Sequence, residues 1–267
     1  MQITSRENSL LRQARAVRDG KIDELIYVEG LRLCEEAVRS KLNIEAVIVS
    51  EELLRKERAA QAIEELSRVS KRTASVSEKL LESISYTKTP QGIVVLAVRP
   101  ESSEDRLSAS VEVSPLLVVL HQINNPVNVG AILRTAEAAG ATGVITTKNT
   151  SDPFSPKSLR GAMGSAFRLP IWSGPTFEEV VEWCRERGIV TACADGEATT
   201  DYTDLDWSLG IAVFVGPEST GFTAEELMNA DLRVKIPMKG LAESLNVSVA
   251  AGILLFEAAR QRAAKIS

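Results

Sequence analysis

The sequence predicts an α/β protein of two domains, the second and larger built on a mostly parallel sheet with helices on both faces. Three observations lead to this prediction. The chain has 267 residues, enough for two domains of ordinary size. Short apolar runs alternate with amphipathic stretches, which is typical of strands joined by helices. The composition, 44% hydrophobic and 25% charged residues, supplies enough apolar side chains for one or two cores.

Residues 1–100 form the first predicted domain, a small α/β unit. Apolar, β-rich runs predict strands and amphipathic runs predict helices, in the order strand 25–28, helix 31–38, strand 46–49, helix 51–68 and strand 92–98. The residues that follow, 101–114, are polar and lack apolar periodicity, so they are predicted to be a linker.

Residues 115–267 form the second predicted domain. Buried strands are predicted at 115–120, 143–146, 189–193 and 211–215, and helices at 128–139, 177–187 and 247–264. Strands separated by helices at this spacing favour a parallel sheet covered on both faces. Ligands bind such sheets at the carboxyl ends of the strands. The loops that begin at His121, Gly216 and Pro237 are expected at or near that edge.

The composition also excludes several classes of protein. No apolar run approaches the roughly 20 residues of a membrane-spanning helix, and the polar N-terminus lacks the apolar core of a signal peptide. The three cysteines, Cys34, Cys184 and Cys193, are scattered, which indicates a reducing, cytoplasmic location. With a single histidine in the chain they cannot build a closed zinc site, so no metal is expected.

Positive charge is concentrated in the first domain, although the whole chain has a net charge of −5. Residues 1–100 contain 17 Lys and Arg against 15 Asp and Glu, whereas the remainder contains 14 against 21. Arg12, Arg15 and Arg18 recur every third residue on a predicted helix, and Arg6 precedes them. This spacing puts three guanidinium groups along one face. The strip either contacts RNA phosphates or is a solvated helix face, and charge alone does not decide.

The first of the three loops, which leads into NPVNVGAILRTAEAAGA, places amides and one arginine at the start of a helix. Arg134 follows Asn128 by six residues, less than two helical turns, so the two residues are expected to be near each other. An arginine beside exposed backbone N–H groups is placed to hold an anion such as a phosphodiester. The alternative is that Asn128 caps the helix and Arg134 is an ordinary surface residue.

The second loop, FVGPESTGF, follows a buried strand directly. Glu218 at the mouth of a sheet needs a cation or hydrogen-bond donors, because an unpaired carboxylate is costly to bury. Thr223 and Glu226 form a capping box for the next helix. The alternative is a tight turn before a capped helix.

The third loop, IPMKGLAESLNVSVAAGILLFE, leads from a strand end at 236–238 to the last helix. Ser244 and Asn246 lie where small polar residues normally cap a helix. The small side chains that follow let another backbone pack closely against the helix.

Together, the three loops resemble the SpoU (TrmH-like) branch of the SPOUT family of RNA methyltransferases, and the resemblance covers residues 116–260. The first domain resembles the ribosomal-protein-like substrate-binding domain that is often attached to this family, chiefly in ITSRENSLLRQ and YVEGLRLCEEAV. The resemblance implies S-adenosylmethionine-dependent methylation of a ribose 2′-hydroxyl in structured RNA. It also implies a trefoil knot in the C-terminal sheet and a homodimer, for which we expect contacts at Val249, Ile253 and Phe256.

The resemblance implies a role for individual residues as well. Those that match the family's catalytic surroundings are Asn128, Arg134, Glu218 and Asn246. Those that match its cofactor contacts are Gly216, Ile236, Met238, Ser244 and Leu245. His121 and Asn125 stand where the commoner family pattern has acidic residues. His121, the only histidine, is either a base or a structural residue at a strand end.

The chemistry that the resemblance implies needs no metal, because a methyl group on a sulfonium is already activated. The difficulty is the ribose hydroxyl, whose developing negative charge must be stabilised. A guanidinium keeps its proton in proteins. Arg134 is therefore expected to clamp the adjacent phosphate and the developing alkoxide, oriented by Asn128 and Glu218.

Several alternatives remain open from the sequence. Ribosomal RNA is the favoured substrate because the first domain resembles a ribosomal-protein-like binder, but transfer RNA is also compatible. The reaction could modify a base instead of a ribose, and the chain could be a catalytically silent RNA-binding protein of the same fold. A dinucleotide-binding enzyme is disfavoured because no G-x-G-x-x-G follows the first strand.

Overall fold

The computed structural model describes residues 1–111, 114–217 and 220–266. The strands are β1 (Gln2–Ile3), β2 (Leu25–Glu29), β3 (Ile44–Ser50), β4 (Thr73–Val76), β5 (Ile93–Val98), β6 (Leu116–Leu120), β7 (Gly143–Thr146), β8 (Ile171–Ser173), β9 (Val190–Ala194), β10 (Thr200–Asp201), β11 (Ile211–Val215) and β12 (Leu232–Lys235). The helices are α1 (Ser9–Arg18), α2 (Leu31–Arg39), α3 (Glu51–Leu54), α4 (Glu57–Val69), α5 (Glu78–Ile84), α6 (Glu104–Ser108), α7 (Pro126–Ala138), α8 (Pro156–Ala162), α9 (Ser165–Arg168), α10 (Phe177–Glu186), α11 (Ala224–Asn229) and α12 (Val247–Ile266). None of the helices described is long and apolar enough to cross a bilayer.

The described chain packs as two compact units, of which the first contains Met1–Pro100 and Phe154–Arg168. Its five strands form a mixed sheet in the order β1-β4-β3-β5-β2. Strands β1, β4 and β3 are parallel, whereas β5 is antiparallel to both β3 and β2. The buried face of α1, with Leu10, Leu11, Ala14 and Val17, packs into the core of this unit.

The predicted helix 51–68 is divided into α3 and α4. Leu53 is buried on α3, and Ala59, Ile63 and Leu66 are buried on one face of α4. In one continuous helix, the six residues from Leu53 to Ala59 would turn the chain by about 600°, which puts Leu53 on another side from the rest. The break at 55–56 lets both sets of apolar side chains reach the core.

The second unit contains Glu101–Pro153 and Leu169–Ser267. Its seven strands are all parallel, in the order β10-β12-β9-β11-β6-β7-β8. Every residue of β6 and β11 is buried, as their uninterrupted apolar sequences predict. Helix α10 packs into one core cluster with these strands, and α7 and α12 pack against each other. The predicted fold class, a mixed α/β protein with a large parallel sheet and a smaller N-terminal α/β unit, is confirmed; the trefoil knot stays a prediction.

Two segments differ from the predicted organisation. The predicted linker 101–114 contains α6, whose Leu107 is fully buried in the core of the second unit. A helix with one buried side chain has no apolar period to detect. Residues 154–168 pack with the first unit, where the Arg168 guanidinium lies 2.6 Å from the Glu36 carboxylate. The division into a domain of residues 1–100, a linker of residues 101–114 and a domain of residues 115–267 stays a prediction.

Arg262 anchors the last helix of the second unit. Its half-buried guanidinium donates to the backbone carbonyls of four residues, Ser114, Pro115, Trp207 and Leu209, at 2.6–3.2 Å. Burial lowers the pKa of this group from its ordinary value. These bonds fix the C-terminal half of α12, whose first turn reaches the site described next.

Candidate active site

The three loops singled out in the sequence meet at one cavity of about 580 Å³ in the second unit. The cavity lies where β9, β11 and β12 end, and its wall includes Ala194, Val215 and Val234. This is the edge of a parallel sheet at which ligands bind. Its volume is that of a site for a small molecule or cofactor.

All five residues predicted to contact a cofactor line this cavity: Gly216, Ile236, Met238, Ser244 and Leu245. Strand β12 ends at Lys235, so 236–238 is a loop and not the strand end that the sequence suggested. Backbone groups in such a loop are free of sheet hydrogen bonds and are available to a ligand. The roles of the five residues as cofactor contacts stay a prediction.

Asn128 and Asn246 come together on the cavity wall from different loops. The Asn246 amide donates to Asn128 Oδ1 at 3.4 Å, and Asn128 is 6% exposed. Helix α7 begins at Pro126, two residues before the predicted start, and Asn125 is its cap, accepting from the Val127 N–H at 3.0 Å. Because Asn125 caps the helix, the Asn128 side chain reaches the cavity instead.

Arg134 is exposed on α7 and, among the described residues, is not part of the cavity wall. Six helical residues turn the chain by about 600°, so the side chain points in a different direction from that of Asn128 although the two are close along the axis. Within the described part of the chain, Arg134 makes no ion pair. Its charge is therefore available to an external anion. Glu218, the fourth predicted catalytic residue, lies outside the described residues.

His121 is buried at the end of β6, between the first and second loops. It is 3% exposed, and its Nδ1 lies 3.1 Å from Thr147 Oγ1. Its Nε2 lies 2.9 Å from Glu226 Oε1. The Phe222 ring stacks on it at 5.8 Å. The structure thus gives His121 a packing environment beside the cavity.

Glu226 and Phe222 connect this histidine to the second loop. The predicted capping box of α11 is present, since Glu226 Oε2 accepts from the Thr223 N–H at 2.7 Å and Thr223 Oγ1 accepts from the Glu226 N–H. Phe222 lines the cavity, and a Cβ on Gly216 would come within 2.8 Å of its ring. Gly216 and Phe222 are therefore neighbours in the cavity wall, and the His121 ring packs behind Phe222.

Sequence reasoning missed two features of the wall, Phe222 and the carboxylate of Asp195. Asp195 follows β9 directly and accepts from the Arg233 guanidinium at 2.8 Å. The sequence contained a signal for Asp195, because a polar residue directly after a buried strand also begins the first loop, at His121. Phe222 gave no such signal, because its position depends on the His121 ring on which it stacks.

Among the described residues, no cluster of His, Cys, Asp and Glu is able to hold a metal ion.

The four arginines predicted to bind RNA lie in the first unit. Arg15 Nη2 donates to the backbone carbonyl of Arg6 at 3.0 Å. Arg18 bonds to Asp19 at 2.8 Å and to the Ser85 carbonyl at 3.2 Å. Arg12 is exposed. Two of the four side chains are thus held in place by the protein, and RNA binding by the strip stays a prediction.

Comparison with known proteins identifies the family. The model of the SpoU rRNA Methylase family matches residues 115–256, which is more than half of the chain.

The chain belongs to the SpoU rRNA methylase family.

A second family model, the MRM3-like substrate binding domain, matches residues 10–95. A SpoU relative, the 23S rRNA (guanosine-2′-O-)-methyltransferase RlmB of Vibrio vulnificus, is 34% identical over 78% of this chain and 85% of its own length. The 23S rRNA (guanosine(2553)-2′-O)-methyltransferase RlmP of Bacillus subtilis is 30% identical over 86% of each chain. The crystal structure of the SpoU methyltransferase AviRb from Streptomyces viridochromogenes in complex with AdoMet has a TM-score of 0.85 and 27% identity, covering 96% of this chain and 99% of AviRb. The predicted resemblance to SpoU is confirmed.

The burial of His121 determines how the stability of this SpoU protein changes with pH. Burial lowers the pKa of His121, and the nearby Glu226 carboxylate opposes this only in part. The unfolded chain, with a histidine pKa of about 6.5, therefore binds a proton more readily than the folded protein. The free energy of unfolding is therefore not reduced by this group above about pH 6.5, and it falls as the pH drops from there toward the lowered pKa of His121.

We expect the free energy of unfolding of the unmodified protein to fall more steeply below pH 6.5 than that of His121→Gln, which cannot take up this proton. Urea denaturation at a series of pH values between 5 and 7.5 measures the difference. Parallel pH dependences for the two proteins would contradict the assignment.

Proposed function

We propose that this chain transfers the methyl group of S-adenosylmethionine to a ribose 2′-hydroxyl of ribosomal RNA. The observation that carries the proposal is the convergence of the three SpoU loops on one cavity at the carboxyl ends of the strands. The relatives RlmB and RlmP are named as ribose 2′-O-methyltransferases of 23S rRNA, and AviRb binds AdoMet. The large subunit RNA is therefore the first substrate to test.

The residues of the cavity suit S-adenosylmethionine. Gly216 exposes backbone at the wall, and Asp195 and Glu243 supply carboxylates for a cofactor with a positive charge and with hydroxyl and ammonium donors. Ile236 and Leu245 supply apolar contacts. When bound, the cofactor supplies a methyl group that is already activated by the sulfonium charge.

The protein's own groups act on the RNA. The Arg134 guanidinium, unpaired within the described chain, holds a phosphate and stabilises the negative charge that develops on the 2′-oxygen. We assign it the role of a clamp and not that of the base. The Asn128–Asn246 hydrogen bond joins the first and third loops at the wall. It holds the third loop against the start of α7.

The test uses the purified protein, S-adenosylmethionine and unmodified 23S rRNA transcribed in vitro. Calorimetry is expected to show cofactor binding, and nucleoside analysis of the product RNA is expected to show one 2′-O-methylated nucleoside. Absence of cofactor binding would favour a silent RNA-binding protein. A methylated base would overturn the ribose assignment, and methylation of transfer RNA alone would overturn the ribosomal substrate.

The same proposal includes a homodimer and a cytoplasmic location. Helix α12 leaves Val249 and Phe256, which lie seven residues and about two turns apart on one face, about half exposed, at 50% and 53%. The three cysteines are free and buried, as expected for a protein of a reducing compartment.

For the dimer we expect sedimentation equilibrium to give twice the 28.9 kDa chain mass and Phe256→Glu to give a single chain mass. Charge at a buried apolar contact is costly to desolvate, which is why the variant should dissociate. Met228→Glu, at a residue that is 78% exposed on α11, is the matched control and should remain dimeric. A single chain mass for the unmodified protein would contradict the homodimer.

A further inference from the structure

The surface loop 85–92, between α5 and β5, is held at its first residues by side chains from two other elements of the first unit. Glu29, at the end of β2, is 8% exposed and accepts from the N–H groups of Tyr86 and Thr87 at 2.8 and 3.3 Å and from Thr87 Oγ1 at 2.6 Å. Arg18 of α1 donates to the Ser85 carbonyl. Burying a carboxylate costs free energy unless it receives hydrogen bonds, and here those bonds come from the loop.

The groups that this anchoring presents to solvent are an aromatic ring and a cation. Tyr86 is 44% exposed, and Lys88 is exposed two residues later. Within the described chain, Lys88 makes no ion pair. The anchored backbone limits the positions that both side chains explore, so less conformational entropy is lost when they bind a partner.

The loop continues the arginine strip of α1. Arg18 joins the strip to the loop through Ser85, and Arg15 joins it to the backbone of Arg6. Asp19 pairs with Arg18, but Arg6 and Arg12 make no ion pair within the described residues. One surface of the first unit therefore combines cations with an exposed, preorganised aromatic ring.

We infer that Tyr86 and Lys88 form the part of the RNA-binding surface that recognises an unpaired nucleotide. This inference rests on the proposed function, which supplies RNA as the partner. The Tyr86 ring stacks on a base that is not stacked within the RNA. Lys88, Arg6 and Arg12 contact the flanking phosphates. Stacking on aromatic side chains is a common way in which proteins hold single-stranded RNA.

The experiment measures filter binding of 23S rRNA transcribed in vitro, with calorimetry of S-adenosylmethionine alongside. Tyr86→Ala should weaken RNA affinity about 5- to 150-fold, the effect of removing one base-stacking ring. Tyr86→Phe keeps the ring and should bind within about twofold of the unmodified protein. Lys88→Ala should reduce the salt dependence of binding by about one released counterion. Leu54→Ala is the matched control, because Leu54 is an equally exposed apolar residue of the same unit, at 44%.

The outcomes separate this inference from the function on which it rests. Loss of RNA affinity in Tyr86→Ala, with cofactor affinity unchanged, supports the stacking role. Equal RNA affinity in Tyr86→Ala and the unmodified protein, or equal losses in Tyr86→Ala and Leu54→Ala, overturns it. If the unmodified protein neither binds nor methylates 23S rRNA, the proposed function fails instead.

Discussion

Arg134→Ala is expected to lower kcat about 100- to 1000-fold, the usual cost of removing one donor that stabilises developing negative charge. Arg134 is exposed and makes no ion pair within the described chain, so the melting temperature and the affinity for S-adenosylmethionine should not change. Methylation of 23S rRNA under single-turnover conditions measures the effect.

Arg134→Lys sharpens this test. Lysine keeps the charge but loses the planar fork that binds two phosphate or alkoxide oxygens at once. We expect it to recover only a small part of the lost rate. Full activity in Arg134→Lys would show that a point charge suffices and would end the clamp hypothesis. Arg185→Ala, at an exposed arginine on α10 of the same unit, controls for general loss of positive charge.

Gly216→Ala is expected to weaken S-adenosylmethionine binding about 5- to 150-fold, because returning the overpacked wall to the shape that holds the cofactor costs about 1–3 kcal/mol. A Cβ at this position would come within 2.8 Å of the Phe222 ring, and Phe222 is backed by the buried His121 ring. The ring cannot move back freely, so the added methyl displaces it or the loop. Isothermal titration of the cofactor measures the change.

Two further variants identify the clash as the cause. Gly240→Ala lies in the third loop, where an added Cβ meets no atom within 4 Å, and it should bind the cofactor normally. Adding Phe222→Leu to Gly216→Ala removes part of the ring and should restore affinity, a coupling that independent sites do not show. Failure of Phe222→Leu to restore binding would mean that the two residues do not act through each other.

The parts of the fold that follow from local sequence were predictable. The uninterrupted apolar runs of β6 and β11 predicted buried parallel strands at the observed positions. Gly140 and Gly188 predicted the ends of α7 and α10, and both adopt positive φ, at 77° and 64°. In each case the neighbouring residues alone determine the structure.

Features that depend on distant residues were not predictable. Leu107 is buried only because α6 packs on the second unit's core, and a single apolar residue has no period. The start of α7 is fixed by Asn125, which caps the helix in place of Asn128 and leaves the Asn128 side chain to meet Asn246 from the third loop. The convergence of the loops was expected from the rule for parallel sheets, but the stacking of Phe222 on His121 joins two loops that are distant in sequence and leaves no local pattern.

The membership of residues 154–168 in the first unit limits how this unit can be exchanged between members of the family. A chimera joined at residue 100 would combine a donor's β2 and α2 with the recipient's α8 and α9. The buried Leu159 and the Glu36–Arg168 pair would then meet foreign partners. A transplant that preserves the packing of the first unit therefore has to carry two separate stretches of sequence, residues 1–100 and 154–168.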